Sequence, residues 1–296
     1  MTKQHTPFAN FLLLSAAIIW GFGFVAQRLG MEHLDPYGFN GLRFLLGSLS
    51  LLPLIYWFRK TAPVHFSKAL LWGGIGLGSL LFIAASLQQV GLQYTTVANA
   101  GFITGFYLIL VPIIGIVLKH KTNLNTWFGA ILTLVGLYFL SVKADFTMGY
   151  GDLLNLIGAL FWAIHLLTID YLSTRVNPIQ LASMQFFVCG VLSLIVALVI
   201  EHPTLEQIQL AWQPIVYSGL LSVGLAYTLQ VIAQRHAHPS HAAIILSLEA
   251  VFAAVGGVLF LNESLDGRAL LGCGLMLVGM LISQIQWPKS PSIATK

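Results

Sequence analysis

Charge is what this sequence has least of. Of 296 residues, 10 are Asp or Glu and 14 are Lys or Arg, 8% together, where a water-soluble domain carries about 25%. So few charges cannot cover the surface of a soluble fold of this length. An apolar content of 57% and a mean hydropathy of +0.84 place the chain in a bilayer. Cysteine is scarce too. Cys189 and Cys273 both fall in apolar stretches, offer no disulfide framework and read as small buried residues. No G-x-x-x-x-G-K-[ST] loop occurs, so nothing supports direct use of ATP. There is no G-x-S-x-G or H-E-x-x-H element, so an intramembrane hydrolase lacks its nucleophile and base. The first apolar run continues past Trp20 with no small-residue cleavage site in place, and so reads as a span rather than a cleavable leader. A pI near 9.1 does not point to nucleic acid, because the basic residues are scattered over short loops, as membrane orientation requires.

Ten apolar segments can be marked: 10–29, 37–58, 69–92, 97–118, 125–142, 151–172, 179–200, 211–233, 240–261 and 268–286. Each approaches the roughly 20 residues with which a helix crosses a hydrocarbon core, and a helix satisfies its own backbone in lipid. With the N-terminus inside, the inner loops collect Lys3, Arg59, Lys60, Lys68, Lys119, Lys121, Arg175, Arg235, Lys289 and Lys296. The outer loops collect Arg28, Lys143 and Arg268, and Arg43 is left within the membrane. Both termini are therefore expected on the cytoplasmic side of the cell membrane.

The chain is also written twice. Ile18-Ile19-Trp20-Gly21-Phe22-Gly23-Phe24 is echoed by Leu160-Phe161-Trp162-Ala163-Ile164-His165, and Pro36 and Pro178 keep the same spacing of 142. Later the spacing slips by one, aligning Gly129–Gly136 with Gly272–Gly279. Each half, 1–146 and 147–296, holds five crossings. An odd number forces the second half to enter from the opposite face. The expected fold is an all-α membrane protein of ten transmembrane helices in two inverted five-helix repeats, an architecture of secondary transporters that place substrate near the midplane.

The Trp-Gly element of the first segment, Leu42-Arg43-Phe44, Ser247-Leu248-Glu249-Ala250-Val251-Phe252 and Leu259-Phe260-Leu261-Asn262-Glu263-Ser264 occur in that order before a glycine-rich last segment. Together they resemble the EamA-type branch of the drug/metabolite transporter superfamily over nearly the whole chain. The resemblance implies a carrier of small metabolites, often an exporter of amino acids or related compounds. That family pattern often has proline after the glutamate; Ala250 stands there, so a bend is expected to be absent or gentler.

Glu249, at the middle of the ninth segment, is the leading candidate. A carboxylate at a helix centre costs about 2.5–3.5 kcal/mol to insert, so it should face the interior, as a proton-coupling group, a partner for a substrate ammonium or a structural hydrogen bond. Arg43 carries a fixed fork suited to a substrate carboxylate, or else caps helix carbonyls or pairs with a carboxylate such as Glu249. Trp20 and Trp162 sit at segment centres rather than at the interfaces where most membrane tryptophans belong, and are read as opposite walls of a cavity. The repeat maps Glu249 onto Phe106 or Tyr107, and Arg43 onto Gln185, so the polar groups are asymmetric within a symmetric frame. His165, one turn beyond Trp162, completes the expected substrate-binding set of Trp20, Arg43, Tyr107, Trp162, His165, Gln185 and Glu249. Gln88, Gln89 and Gln230 are further lining candidates. His236, His238 and His241 have a ligand-like spacing but no acidic or Cys partner nearby, and read as a polar loop; no metal or cofactor is expected beyond a coupling proton. Pro112 is a candidate bend, and Glu263 a loop contact.

The expected function is secondary active export of a small polar metabolite such as an amino acid, by alternating access, with no enzymatic step. A carrier of cationic or quaternary amines, using the aromatic rings and Glu249, is the alternative. A non-transporting assembly or sensor subunit is a different class. The expected partners are the substrate and the lipid bilayer, with no nucleic acid, in a monomer or homodimer.

Overall fold

In the computed structural model the described residues are 7–58, 67–95, 97–120, 122–141, 148–261 and 264–285. Glu263, the 146/147 divide and seven of the loop cations (Lys3, Arg59, Lys60, Lys121, Lys143, Lys289 and Lys296) fall outside these ranges.

The elements are α1 (Pro7–Gly30), α2 (Pro36–Phe58), α3 (Lys68–Tyr94), α4 (Val97–Thr104), α5 (Tyr107–Val117), α6 (Leu124–Ser141), α7 (Tyr150–Leu172), α8 (Pro178–Ile200), α9 (Leu205–Leu210), α10 (Trp212–Val216), a π-helical stretch Tyr217–Tyr227, α11 (Thr228–Ala233), α12 (Pro239–Leu246), α13 (Glu249–Phe260) and α14 (Gly267–Gln284). Among the described residues there is no strand. Among the described residues seven helical spans are long and apolar enough to cross a membrane: α1, α2, α3, α7, α8, Trp212–Ala233 and Pro239–Phe260. Tyr107–Val117, Leu124–Leu140 and Gly267–Ser283 are apolar but shorter. Large apolar side chains such as Phe11, Trp57, Trp72 and Leu198 stand on the outside of the bundle, a surface that only lipid would cover favourably.

Helix starts follow local chemistry. Ser67 accepts from the Leu70 N–H, Asn177 caps α8 ahead of Pro178, and Asp266 accepts from the Ala269 N–H, each satisfying donors that a first turn leaves open. At α2 the acceptor comes from another helix end: Glu201 takes the N–H groups of Tyr37 at 2.9 Å and Gly38 at 2.7 Å. Burial raises the pKa of this carboxyl, while those two N–H groups oppose the rise.

Close packing is set by small residues. A Cβ on Gly129 would meet the Gly279 carbonyl at 2.5 Å, and one on Gly136 would meet the Gly272 carbonyl at 2.7 Å. α6 and α14 thus run antiparallel in backbone contact, along the two stretches that align in the repeat. α2 and α8 also run antiparallel, with the Ser48 hydroxyl donating to the Ser183 carbonyl at 2.9 Å and Leu45 filling the space in front of Gly190.

Two apolar stretches, α4–α5 and α12–α13, are interrupted midway, and alike. At Gly105–Phe106, between α4 and α5, the N–H groups of Phe106, Leu108 and Ile109 bond back three residues, to Ile103, Gly105 and Phe106. At Ser247–Leu248, between α12 and α13, Leu248, Ala250 and Val251 do the same, to Ile245, Ser247 and Leu248. Each bond recurs 142 residues later. At Ala250, where proline is absent, tighter three-residue bonding replaces the α pattern over Leu248–Val251, and α-type bonding resumes at Phe252. Pro112 lies within α5, which continues through it.

Candidate functional site

The interruptions lead α5 and α13 off with Tyr107 and Glu249. The two residues are 142 apart and meet: the Tyr107 hydroxyl donates to Glu249 Oε1 at 3.3 Å, and both are buried. They face a central cavity of about 50 Å3, room for a few water molecules.

Its walls are aromatic. Trp20, in α1, donates its indole N–H to the Ser222 carbonyl of the π-helical stretch at 3.0 Å. Tyr227, closing that stretch, sits with its ring 4.5 Å from that of Trp20 and is stacked on Trp162 at 6.2 Å and 21°. Trp162, in α7, meets His165 edge-on at 5.8 Å, and its own indole N–H is buried without a partner among the described residues. Phe44 and Phe186 back Tyr227 from behind.

Arg43 also lines the cavity. Its Nε donates to Asn40 at 2.9 Å and its guanidinium lies 4.9 Å from the Phe44 ring centre. Among the described residues Arg43 and Glu249 form no ion pair with each other. They come from non-neighbouring elements: α2 packs on α8, the π-helical stretch, α3 and α10, whereas α13 packs on α1 and α4. A cation and a carboxyl thus approach one space from different sides.

Of the seven expected site residues, Trp20, Arg43, Tyr107, Trp162, His165 and Glu249 line the cavity. Gln185 does not. It stands behind His165, 2.9 Å from its Nε2. Gln88 and Gln230 line the wall, and Gln88 donates to Thr104 at 3.3 Å. Gln89 is buried outside it, with neither end of its amide partnered among the described residues. His236, His238 and His241 form no site: His238 caps α12 by accepting from the Ser240 N–H, and His241 bonds Asn10 and Ser283. Among the described residues no group of three or more His, Cys, Asp or Glu is placed to hold a metal.

Phe24, Gln27, Thr104, Leu166, Ser222, Tyr227 and Leu246 are lining residues that the sequence reading did not single out. A signal existed for four of them. Phe24 and Leu166, and Thr104 and Leu246, stand 142 apart, as do Trp20 and Trp162, Gln88 and Gln230, and Tyr107 and Glu249. Carrying that spacing beyond the tryptophans would have found these pairs. Tyr227 had no such signal, because its counterpart at this spacing is Ala85.

Comparison with known proteins gives a consistent picture. The model of the EamA-like transporter family matches residues 7–142 and again 149–284. An uncharacterized transporter of Archaeoglobus fulgidus is 33% identical over 281 residues, covering 94% of this chain and 86% of that one. The uncharacterized transporter YoaV of Bacillus subtilis is 24% identical, covering 92% and 94%. A protein of known crystal structure aligns with a TM-score of 0.78 at 17% identity, over 93% of this chain and 96% of the other, a likeness of fold alone.

Proposed function

The chain belongs to the EamA-like transporter family and is a multi-pass membrane transporter; from there we propose that it is a secondary active exporter of small zwitterionic metabolites, amino acids above all, working by alternating access. In this reading the interrupted spans 97–117 and 239–260 count as single crossings. The chain then has ten crossings in two inverted halves, in the cell membrane, with both termini cytoplasmic. The antiparallel pairing of the repeat-related helices α6 with α14 and α2 with α8 supports this. So does a cavity lined by repeat-related pairs, where an axis between the halves would pass.

The observation that carries the substrate class is that Arg43 and Glu249 share one aromatic-walled cavity, from different sides, without pairing with each other. A substrate with a carboxylate and an ammonium would answer both, and the rings would hold its apolar part. Glu249, buried beside a neutral tyrosine, is the group proposed to carry a coupling proton. The amine-carrier alternative uses the rings and Glu249 but leaves Arg43 unanswered.

Counterflow in proteoliposomes tests this. Amino acids should exchange, the matching decarboxylated amines should not, and Arg43→Lys should lose exchange. Glu249→Gln should lose uptake driven by a pH gradient. Exchange of amines or quaternary ammonium compounds without exchange of amino acids would replace the reading with the alternative.

A further inference from the structure

A second concavity, of about 580 Å3, opens on the flank of the bundle. Two helical stripes form its sides. Phe22, Val25, Ala26 and Leu29 on α1 follow the i, i+3, i+4, i+7 spacing of one face, and Leu210, Gln213, Pro214 and Tyr217 repeat it on the facing side. Val25 and Ala26 are the buried floor, while Leu210 and Phe260 are more than half exposed as rims. The base is closed by the edge-on contact of Phe22 with Phe260 and by the Tyr217 hydroxyl bonded to the Ile19 carbonyl at 3.0 Å. None of its lining residues also lines the central cavity. α1 and Trp212–Ala233 are both long and apolar enough to cross a membrane, and the apolar part of the slot, from Phe22 to Leu29, lies within the first of them. From Phe22 to Leu29 it extends about 10 Å at roughly 1.5 Å per residue, most of one leaflet of a core about 30 Å thick.

The mouth has a different chemistry. Glu32 and His33 border it where α1 has ended, both exposed. Asp35 follows in the same connection. The nearest cation in sequence, Arg28, is turned to the Leu92 carbonyl of α3 at 2.9 Å. An apolar slot in one leaflet, under a carboxylate at the interface, is complementary to an acyl chain carried by an ammonium headgroup.

We infer that this groove is a binding site for a membrane phospholipid with a cationic headgroup amine, phosphatidylethanolamine in chemistry. Its acyl chain lies between the α1 stripe and the facing side from Leu210 to Tyr217, and its ammonium sits at Glu32. The inference does not depend on which solute the central cavity carries.

The full chain, purified and exposed to an equimolar mixture of phosphatidylethanolamine and phosphatidylglycerol in mild detergent, can be examined by native mass spectrometry. The wild type should retain a lipid adduct enriched in phosphatidylethanolamine over its share of the mixture. Leu29→Trp, which fills the slot, should lose the adduct. Glu32→Gln, in an exposed connection where folding is not at stake, should keep an adduct whose composition falls to that of the mixture. An undiminished adduct in Leu29→Trp, an unchanged preference in Glu32→Gln, or a preference for phosphatidylglycerol in the wild type would overturn the site.

Discussion

Replacing Gly279 by alanine adds one methyl group where the structure has no space for it. The new Cβ would meet Thr133 Oγ1, the Gly129 carbonyl at 2.7 Å and the Thr133 nitrogen at 2.9 Å. Two of these are backbone atoms of α6, which cannot swing aside, so the helices must separate. Overpacking of this kind costs about 1–3 kcal/mol, and alanine returns about 0.5–1 kcal/mol of helix preference over glycine. The net loss is about 0–2.5 kcal/mol. At roughly 2–4 °C per kcal/mol for a chain of this order, Gly279→Ala should melt up to about 10 °C below the wild type. Gly274 supplies the internal control. It lies on the same helix, exposed, and a methyl group there would meet nothing within 4 Å. Gly274→Ala therefore keeps only the helix gain and should melt about 1–4 °C higher. The assay is intrinsic-fluorescence melting of the purified proteins in one detergent. Gly136→Ala, whose Cβ would meet the Gly272 carbonyl at 2.7 Å, should behave like Gly279→Ala. Shifts of the same sign for positions 274 and 279 would refute the packing argument.

The two central tryptophans should separate by stability. Trp20→Phe loses the indole bond to the Ser222 carbonyl, worth about 0.6–1.7 kcal/mol by analogy with other side-chain bonds inside membranes. Trp162→Phe loses no such bond, so in the same melting assay it should stay nearer the wild type; equal losses would remove the distinction. Glu201→Ala strips the acceptor from two N–H groups at the start of α2. It should cost about 0.5–2 kcal/mol, as loss of a helix cap does, with Glu201→Gln retaining part of it; an unchanged melting point for the alanine variant would show that water replaces the carboxylate fully.

Much of the scaffold was legible because lipid leaves so few options. The segment expected at 151–172 is Tyr150–Leu172, and that at 179–200 is Pro178–Ile200; apolar length alone fixes such elements. The interruption before Glu249 was not legible from its side chains. Backbone bonds shortened to three residues produce it, and Gly105–Phe106 and Ser247–Leu248 share no residue type. The π-helical winding of Tyr217–Tyr227 left no mark in an ordinary apolar run either, yet it ends on Tyr227, the ring that joins both tryptophans. Within the candidate site, Trp20, Trp162 and Glu249 were conspicuous because each is costly or unusual at a span's centre. Gln185 stands behind His165 and not in the cavity wall, because the repeat gives equivalent positions in the frame and not equivalent exposure to the cavity.

The same frame makes a last comparison possible. Phe24 and Leu166 occupy equivalent places in the two halves, and both line the cavity. Phe24 is backed by a thin layer: Leu92, Val97, Ala100 and Ala253, with Met31 beside them. Leu166 belongs to a much larger core cluster that includes Leu12, Leu108, Leu137, Ile244 and Met276. In the inverted arrangement proposed above these two positions would face opposite sides of the membrane. Segments held by few buried apolar contacts open at lower free energy than segments held by many, so the Phe24 side should open first. A single cysteine at Thr104, with Cys189 and Cys273 replaced by alanine, would report this through its labelling rate with an impermeant thiol reagent. Reagent applied on the Phe24 side should label faster in Phe24→Ala than in its parent, while Leu166→Ala should leave that rate unchanged. Equal acceleration by the two variants would mean that the depth of apolar packing does not set which side of the cavity opens.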